Sequence, residues 1–228
     1  MAENIDQLQH AFFEKEWARL KLSDEPGKSG WRTLVPAPDF VGFVTYLESN
    51  GIKGKALGLG CGGGRHAMLL AERGFDVYGI DFATPAIAMA RANAEHAGLQ
   101  IDFKRGDALD LPYNESFFDV VNDDGCLHHI DPAKWPLYVL NVARVLKSGG
   151  TLRIKAFSMN CAYYQQNVPK NSSTQWIFLK NSGHTYFFSE PNINSLFSKQ
   201  FEIVQMEEKV HTQTADKKFF FVILKKQS

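Results

Sequence analysis

Apolar residues in this chain come in short continuous runs that end on glycine or aspartate, and the stretches between them carry apolar positions at helical spacing. Residues 56–59 run into Gly60-Cys61-Gly62-Gly63-Gly64. Ala67, Met68, Leu69, Leu70 and Ala71 are good helix formers, Gly74 stops them, and a second run from Val77 ends at Asp81. This is a strand, a tight turn, a helix and a strand in succession. The rhythm then repeats. Thr84-Pro85 opens a helix through Ile87, Met89 and Ala92 to Gly98, residues 101–103 form a strand ending in Gly106-Asp107-Ala108, and residues 117–121 form a fourth strand. Asp131-Pro132 starts a helix through Leu137, Val142 and Leu146, which Ser148-Gly149-Gly150 stops before a fifth strand at 151–154. Such alternation predicts an α/β fold with a doubly wound parallel sheet that binds ligands at the carboxyl ends of its strands.

Both ends of the chain depart from this rhythm. Residues 5–22 mix Leu8, Phe12, Phe13, Trp17 and Leu20 with charges and read as an amphipathic helix able to cap the site. Turn chemistry fills residues 23–30, Trp31 reads either as core or as part of a lid, and residues 40–47 form a short helix. From 157 to 190 polar and aromatic residues mix without alternation, among them Tyr163, Trp176, His184 and Tyr186, as in a substrate-facing insertion. Ser189-Glu190-Pro191 opens a last helix, and residues 201–206 and 219–224 read as two closing strands joined by a polar connection at 211–218.

The length of 228 residues suits one α/β domain, 1–228, with an N-terminal helical cap (1–50), a core (55–156), the insertion (157–190) and a closing helix and hairpin (191–228). The 25 Lys and Arg residues balance 25 Asp and Glu, so no global field draws in nucleic acid or an anionic membrane. Cys61, Cys126 and Cys161 lack disulfide or metal-ligand spacing, and Asp123 and Asp124 beside the histidines lack a third spaced ligand, so no metal is expected. No run reaches membrane-spanning length and the N-terminus lacks signal-peptide character, so the expected setting is the cytoplasm.

The glycine turn places free N–H groups and the positive end of a helix dipole at the sheet edge, and Asp81 lies about 20 residues on, where ribose hydroxyls are held in nucleotide-type sites. His128 and His129 follow the fourth strand at the same edge, as a base or substrate contact, or as helix-start packing. His184 and Tyr186 are substrate-contact candidates in the insertion, with an ordinary polar loop role as the other reading. Arg65 reads as an ion-pair partner and Cys61 as a small turn residue.

In order, Gly60-Cys61-Gly62-Gly63-Gly64, Gly79-Ile80-Asp81, Gly106-Asp107-Ala108, Phe118-Asp119-Val120-Val121, Leu127-His128-His129 and Val145-Leu146-Lys147-Ser148-Gly149-Gly150 resemble the motifs of class I S-adenosylmethionine-dependent methyltransferases that act on small molecules. The resemblance implies a seven-stranded, mostly parallel sheet with a C-terminal antiparallel hairpin, S-adenosylmethionine as cofactor, and a small-molecule acceptor, in a monomer or homodimer. It implies the methionyl part over Gly60 and Gly62, near the segment 122–124 with Asp123, and the ribose on Asp81. Adenine falls to Phe82, Asp107 and Ala108. One position departs from the pattern: Gly58 stands where the family usually has an acid. Two other readings stand beside methyl transfer: a cofactor binder without turnover, motivated by Gly58, and a nicotinamide-dependent oxidoreductase, whose glycine turn and acidic ribose partner are similar. A nucleic-acid methyltransferase is disfavoured by the neutral charge and by the absence of an Asn-Pro-Pro-Tyr-like tetrad after the fourth strand.

Overall fold

The computed structural model describes residues 5–20, 33–168, 174–211 and 214–228. Two helices, α1 (Ile5–Arg19) and α2 (Pro38–Ser49), precede β1 (Lys55–Leu59). Helix and strand then alternate through α3 (Arg65–Glu72), β2 (Asp76–Asp81), α4 (Thr84–His96), β3 (Asp102–Arg105), β4 (Phe118–Asp124), α5 (Trp135–Val145) and β5 (Leu146–Phe157). The chain closes with α6 (Ala162–Asn167), β6 (Trp176–Leu179), β7 (Gly183–Tyr186), α7 (Glu190–Phe197), β8 (Phe201–His211) and β9 (Thr214–Lys226).

Seven strands form one sheet in the order β3-β2-β1-β4-β5-β9-β8. Neighbours are parallel from β3 to β5, and β9 runs antiparallel to both β5 and β8, which is the expected doubly wound sheet with its closing hairpin. Strand order reverses between β1 and β4, so the connections leave their carboxyl ends in opposite directions and open a crevice there. Alternate side chains of these central strands feed two apolar layers. Ala56 and Val120 face Phe40 and Leu47 of α2 and Leu70 of α3, while Leu57 and Val121 face Tyr138 and Val142 of α5 and Phe197 of α7.

Three elements differ from the sequence reading, each for a local reason. Asp131 accepts from the Ala133 N–H at 2.9 Å with Pro132 next, but this cap opens only a 3₁₀ turn, Pro132–Lys134. Pro136 has no N–H to donate and its ring excludes the carbonyl four residues earlier, so the α-helix restarts at Trp135. Strand β5 begins at Leu146, paired with Phe118, because the register shifts there and takes the two glycines into the strand. The segment 157–190 is more regular than its sequence suggests: α6 and the β6-β7 hairpin occupy it, and Ser158 bridges to Phe188. The segment 23–30, Trp31 and Arg32 lie outside the described residues. Among the described residues no helix is long and apolar enough to cross a membrane.

Candidate active site

The turn after β1 is built on left-handed glycines. Gly60 and Gly62 have φ of 55° and 53°, and a Cβ on Gly62 would lie 2.7 Å from Cζ2 of Trp17, so glycine is what lets α1 press on the turn. Asp81 ties the turn to β2. Its Oδ2 accepts from the Gly62 N–H at 3.0 Å and its Oδ1 from the Ala83 N–H at 2.9 Å. Burial pushes this carboxyl up to about 6, against the lowering effect of the two N–H groups.

A cavity of about 810 Å³ opens over the carboxyl ends of β1, β2 and β4 and continues past β5 to β9. Gly60, Asp81, Phe82, Asp107, Ala108, His128 and His129 border it, and Gly62 borders a smaller one of about 60 Å³ beside it. Asp107 Oδ1 accepts from the Leu109 N–H at 2.9 Å, and its Oδ2 lies 3.8 Å from Nε2 of His10 on α1. The His10 ring stacks on Phe82 with centroids 4.2 Å apart. An imidazole from the cap helix thus makes, with Phe82 and Asp107, the contacts that the sequence reading gives to adenine.

Asp123 does not border the cavity. Successive side chains of a strand point to opposite faces, and Asp123 turns towards α5, where it accepts from the Tyr138 hydroxyl at 2.7 Å and from the N–H groups of Gly125, Cys126 and Leu127. It braces the loop that carries the two histidines. Asp124, one residue on, faces the cavity instead. Burial alone would raise the Asp124 carboxyl, but Lys155, Arg153 and Arg65 around it hold it well below the usual carboxylate range.

The two histidines divide. His128 is buried on the cavity wall, its Nδ1 has no hydrogen-bond partner, and burial holds its pKa well below the ordinary histidine value. His129 Nδ1 lies 2.9 Å from the His184 carbonyl and must donate to it, its ring packs on Phe13, and burial lowers it to about 4. His184 and Tyr186 do not border the cavity. The His184 backbone pairs with the Gln9 side chain and its ring stacks on Trp176, while Tyr186 donates to Gln175 Oε1 at 2.8 Å and packs between Trp135 and Phe188. His184 packs within the short β6-β7 hairpin, and Tyr186 packs the hairpin against Trp135 of α5 and Phe188.

The far end of the cavity is lined by residues that the sequence did not single out: Lys155 and Phe157 of β5, Ser182 in the β6-β7 turn, and Lys217 and Phe219 of β9. Tyr163 of α6 joins them. One signal was present, because Arg153 and Lys155 alternate within an otherwise apolar strand and so share a face. Gly58 borders the small cavity with Asn122, Asp124, Arg65 and His66. Among the described residues no group of three or more His, Cys, Asp or Glu side chains is placed to hold a metal ion.

Residues 56–150 match the family model of the methyltransferase domain. A ubiquinone biosynthesis O-methyltransferase of Actinobacillus pleuropneumoniae is 33% identical over 194 residues, 78% of this chain and 80% of that protein. An uncharacterised methyltransferase of Synechocystis is 38% identical over 96 residues, 42% of this chain, and the matched stretch spans only 43% of that relative's length. The solved structure of magnesium protoporphyrin IX methyltransferase from Synechocystis, with bound S-adenosylmethionine, covers 99% of both chains with a TM-score of 0.69 at 16% identity, a likeness of fold. The chain belongs to the class I S-adenosylmethionine-dependent methyltransferases, and S-adenosylmethionine is its cofactor. The nicotinamide reading falls with that assignment.

Proposed function

We propose that the chain methylates a hydroxyl group of a small-molecule acceptor, with His128 taking the hydroxyl proton. The observation that carries this reading is the place of His128 on the cavity wall, as a buried imidazole that burial holds well below the ordinary histidine pKa and so in its neutral, proton-accepting form. The A. pleuropneumoniae relative, an O-methyltransferase by name, supports the same choice of acceptor atom.

The residues present fit the cofactor. Asp81 and Asp107 keep acceptor edges on the cavity for ribose hydroxyls and an adenine amine, Phe82 offers a ring face, and Gly60 lets the backbone come close. When bound, S-adenosylmethionine supplies a sulfonium methyl group that passes to a nucleophile while the bonding pair stays with sulfur. His129 ties the β6-β7 hairpin to the histidine loop through the His184 carbonyl and packs against His128. In this reading α1 closes the cofactor end, and Phe157, Tyr163, Asn181 and Ser182 wall the acceptor end, where burial excludes water. The free thiols of Cys61, Cys126 and Cys161 suit a reducing compartment such as the cytoplasm.

The test is methyl transfer from labelled S-adenosylmethionine to catechol, 1-naphthol and 1-hydroxy-2-naphthoate, with wild type and His128→Gln. Losing a general base lowers kcat by about 10²–10⁴-fold, and affinity for S-adenosylhomocysteine should stay the same. Equal kcat for the variant across pH 6 to 9 would remove His128 from the chemistry. Tight cofactor binding with no transfer to any of the three would favour a binder without turnover.

A further inference from the structure

The cap helix α1 is fastened on both sides of the cavity. On one side His10 lies on Phe82, and Glu14 Oε1 accepts from the Thr84 N–H at 3.1 Å where α4 begins. On the other side Asp6 pairs with Lys134, the Phe13 ring meets His129 edge to face with centroids 5.0 Å apart, and Gln9 reaches β7.

Gln9 makes the most specific of these contacts. It is buried, at 5% exposure, so its amide oxygen and nitrogen each need a partner inside the protein. Both partners come from one peptide. Nε2 donates to the His184 carbonyl at 2.8 Å, and Oε1 accepts from the His184 N–H at 2.8 Å. The amide thus meets the edge of the β6-β7 hairpin as a neighbouring strand would. Gly183 lets it come close, because its φ is 68° and a Cβ there would lie 2.7 Å from Gln9 Oε1.

The carbonyl that Gln9 grips has a second donor. His129 Nδ1 lies 2.9 Å from it, and a carbonyl only accepts, so the proton of this imidazole sits on Nδ1 and Nε2 is bare. Thr185 Oγ1, 3.5 Å from the same nitrogen, is at the limit of contact. Burial lowers His129 to about 4, so the ring is neutral at pH 7. Its ring packs in turn on His128 with centroids 4.4 Å apart. Every link from the cap helix to His128 is therefore a direct contact. We propose that Gln9 is a positioning residue for methyl transfer: by fixing the His184 carbonyl it sets the tautomer and plane of His129, and His129 sets the ring of His128 beside the acceptor. The histidine pair is then in place only while α1 is docked on the hairpin. This rests on the reading of His128 as the residue that takes the hydroxyl proton.

The experiment is a long-range proton–nitrogen correlation spectrum of the histidine rings at pH 7, in the full chain and in Gln9→Met, which fills similar space without either hydrogen bond. In wild type the Nδ1–H form of His129 exceeds the Nε2–H form by at least about fivefold, the worth of one hydrogen bond. In Gln9→Met the ratio falls below about twofold and the His128 signals move with it. His66 keeps its signals and reports that the variant is folded, since it stacks on Phe40 and its Nε2 accepts from the Ala37 N–H in the other layer. Gly183→Ala, which pushes the hairpin off the amide, has the same effect from the opposite side. An Nε2–H or charged His129 in wild type, or an unchanged tautomer ratio in folded Gln9→Met, would overturn the proposal and leave Gln9 as an anchor of the cap. The spectra need no turnover, so this failure is distinct from an unaffected kcat in His128→Gln, which would overturn the reading on which the proposal stands.

Discussion

At one end of the cavity, proposed above for the cofactor, the carboxylates are positioned by their own neighbourhood: Asp81 accepts from the N–H of Ala83 and Asp107 from that of Leu109, each two residues on. At the other end Lys155, Tyr163 and Lys217 arrive from β5, α6 and β9, and only the packing of whole elements brings them to one wall. The first arrangement recurs wherever strand, turn and aspartate recur in order. The second changes whenever an insertion or hairpin changes. A fold can in this way keep one cofactor while its acceptors diverge.

Asp123, between the two ends, offers the largest break. Asp123→Ala leaves three N–H groups and the Tyr138 hydroxyl without their acceptor, at about 1–3 kcal/mol for each buried orphan before water relieves some of them. Urea unfolding should show a loss of about 3 kcal/mol or more. A loss under about 1 kcal/mol would mean that the histidine loop holds without this brace.

Legibility in the sequence follows the same division. The order of strands and helices, the left-handed glycines and Asp81 were readable because each depends on residues close by in the chain. Asp124 rather than Asp123 borders the cavity: the sequence marks where β4 ends, but which of two neighbouring aspartates faces the cavity depends on the phase of the strand against α5. That His184 and Tyr186 lie off the cavity was not legible, because polar and aromatic residues in a long segment look alike whether they face a ligand or pack a small hairpin. Nothing local distinguishes Lys217, whose place on the cavity wall depends on β9 lying between β5 and β8.

Acidification separates the ends by a smaller amount. Asp81 is raised to about 6, so lowering the pH from 7 to 5 protonates it and removes acceptor capacity, and affinity for S-adenosylhomocysteine should fall by about tenfold. Folding stability responds with the other sign. With Asp81 and Asp123 both raised to about 6 by burial, the folded chain binds more protons than the unfolded one between about pH 4 and 6. The contribution of these two groups is therefore full at the acid side of that window, falls as pH rises through it, and is flat above. Affinity that does not change from pH 7 to 5 would show that Asp81 ionisation is not part of cofactor binding.

The smallest expected effect concerns the cap helix. If Phe82 takes the adenine ring as proposed, His10 has to leave it first, and an aromatic pair is worth about 0.5–1.5 kcal/mol. His10→Ala should therefore bind S-adenosylhomocysteine about two- to tenfold more tightly. Weaker binding would instead make the imidazole a direct support of the cofactor.

The most direct test is a calorimetric titration of the pure protein and of Asp81→Asn with S-adenosylhomocysteine at neutral pH. One equivalent should bind wild type, and the variant should bind about 10- to 150-fold more weakly, the worth of one charge-assisted hydrogen bond. No heat with wild type, or equal affinity for the two proteins, would contradict the assignment of this end of the cavity to the cofactor.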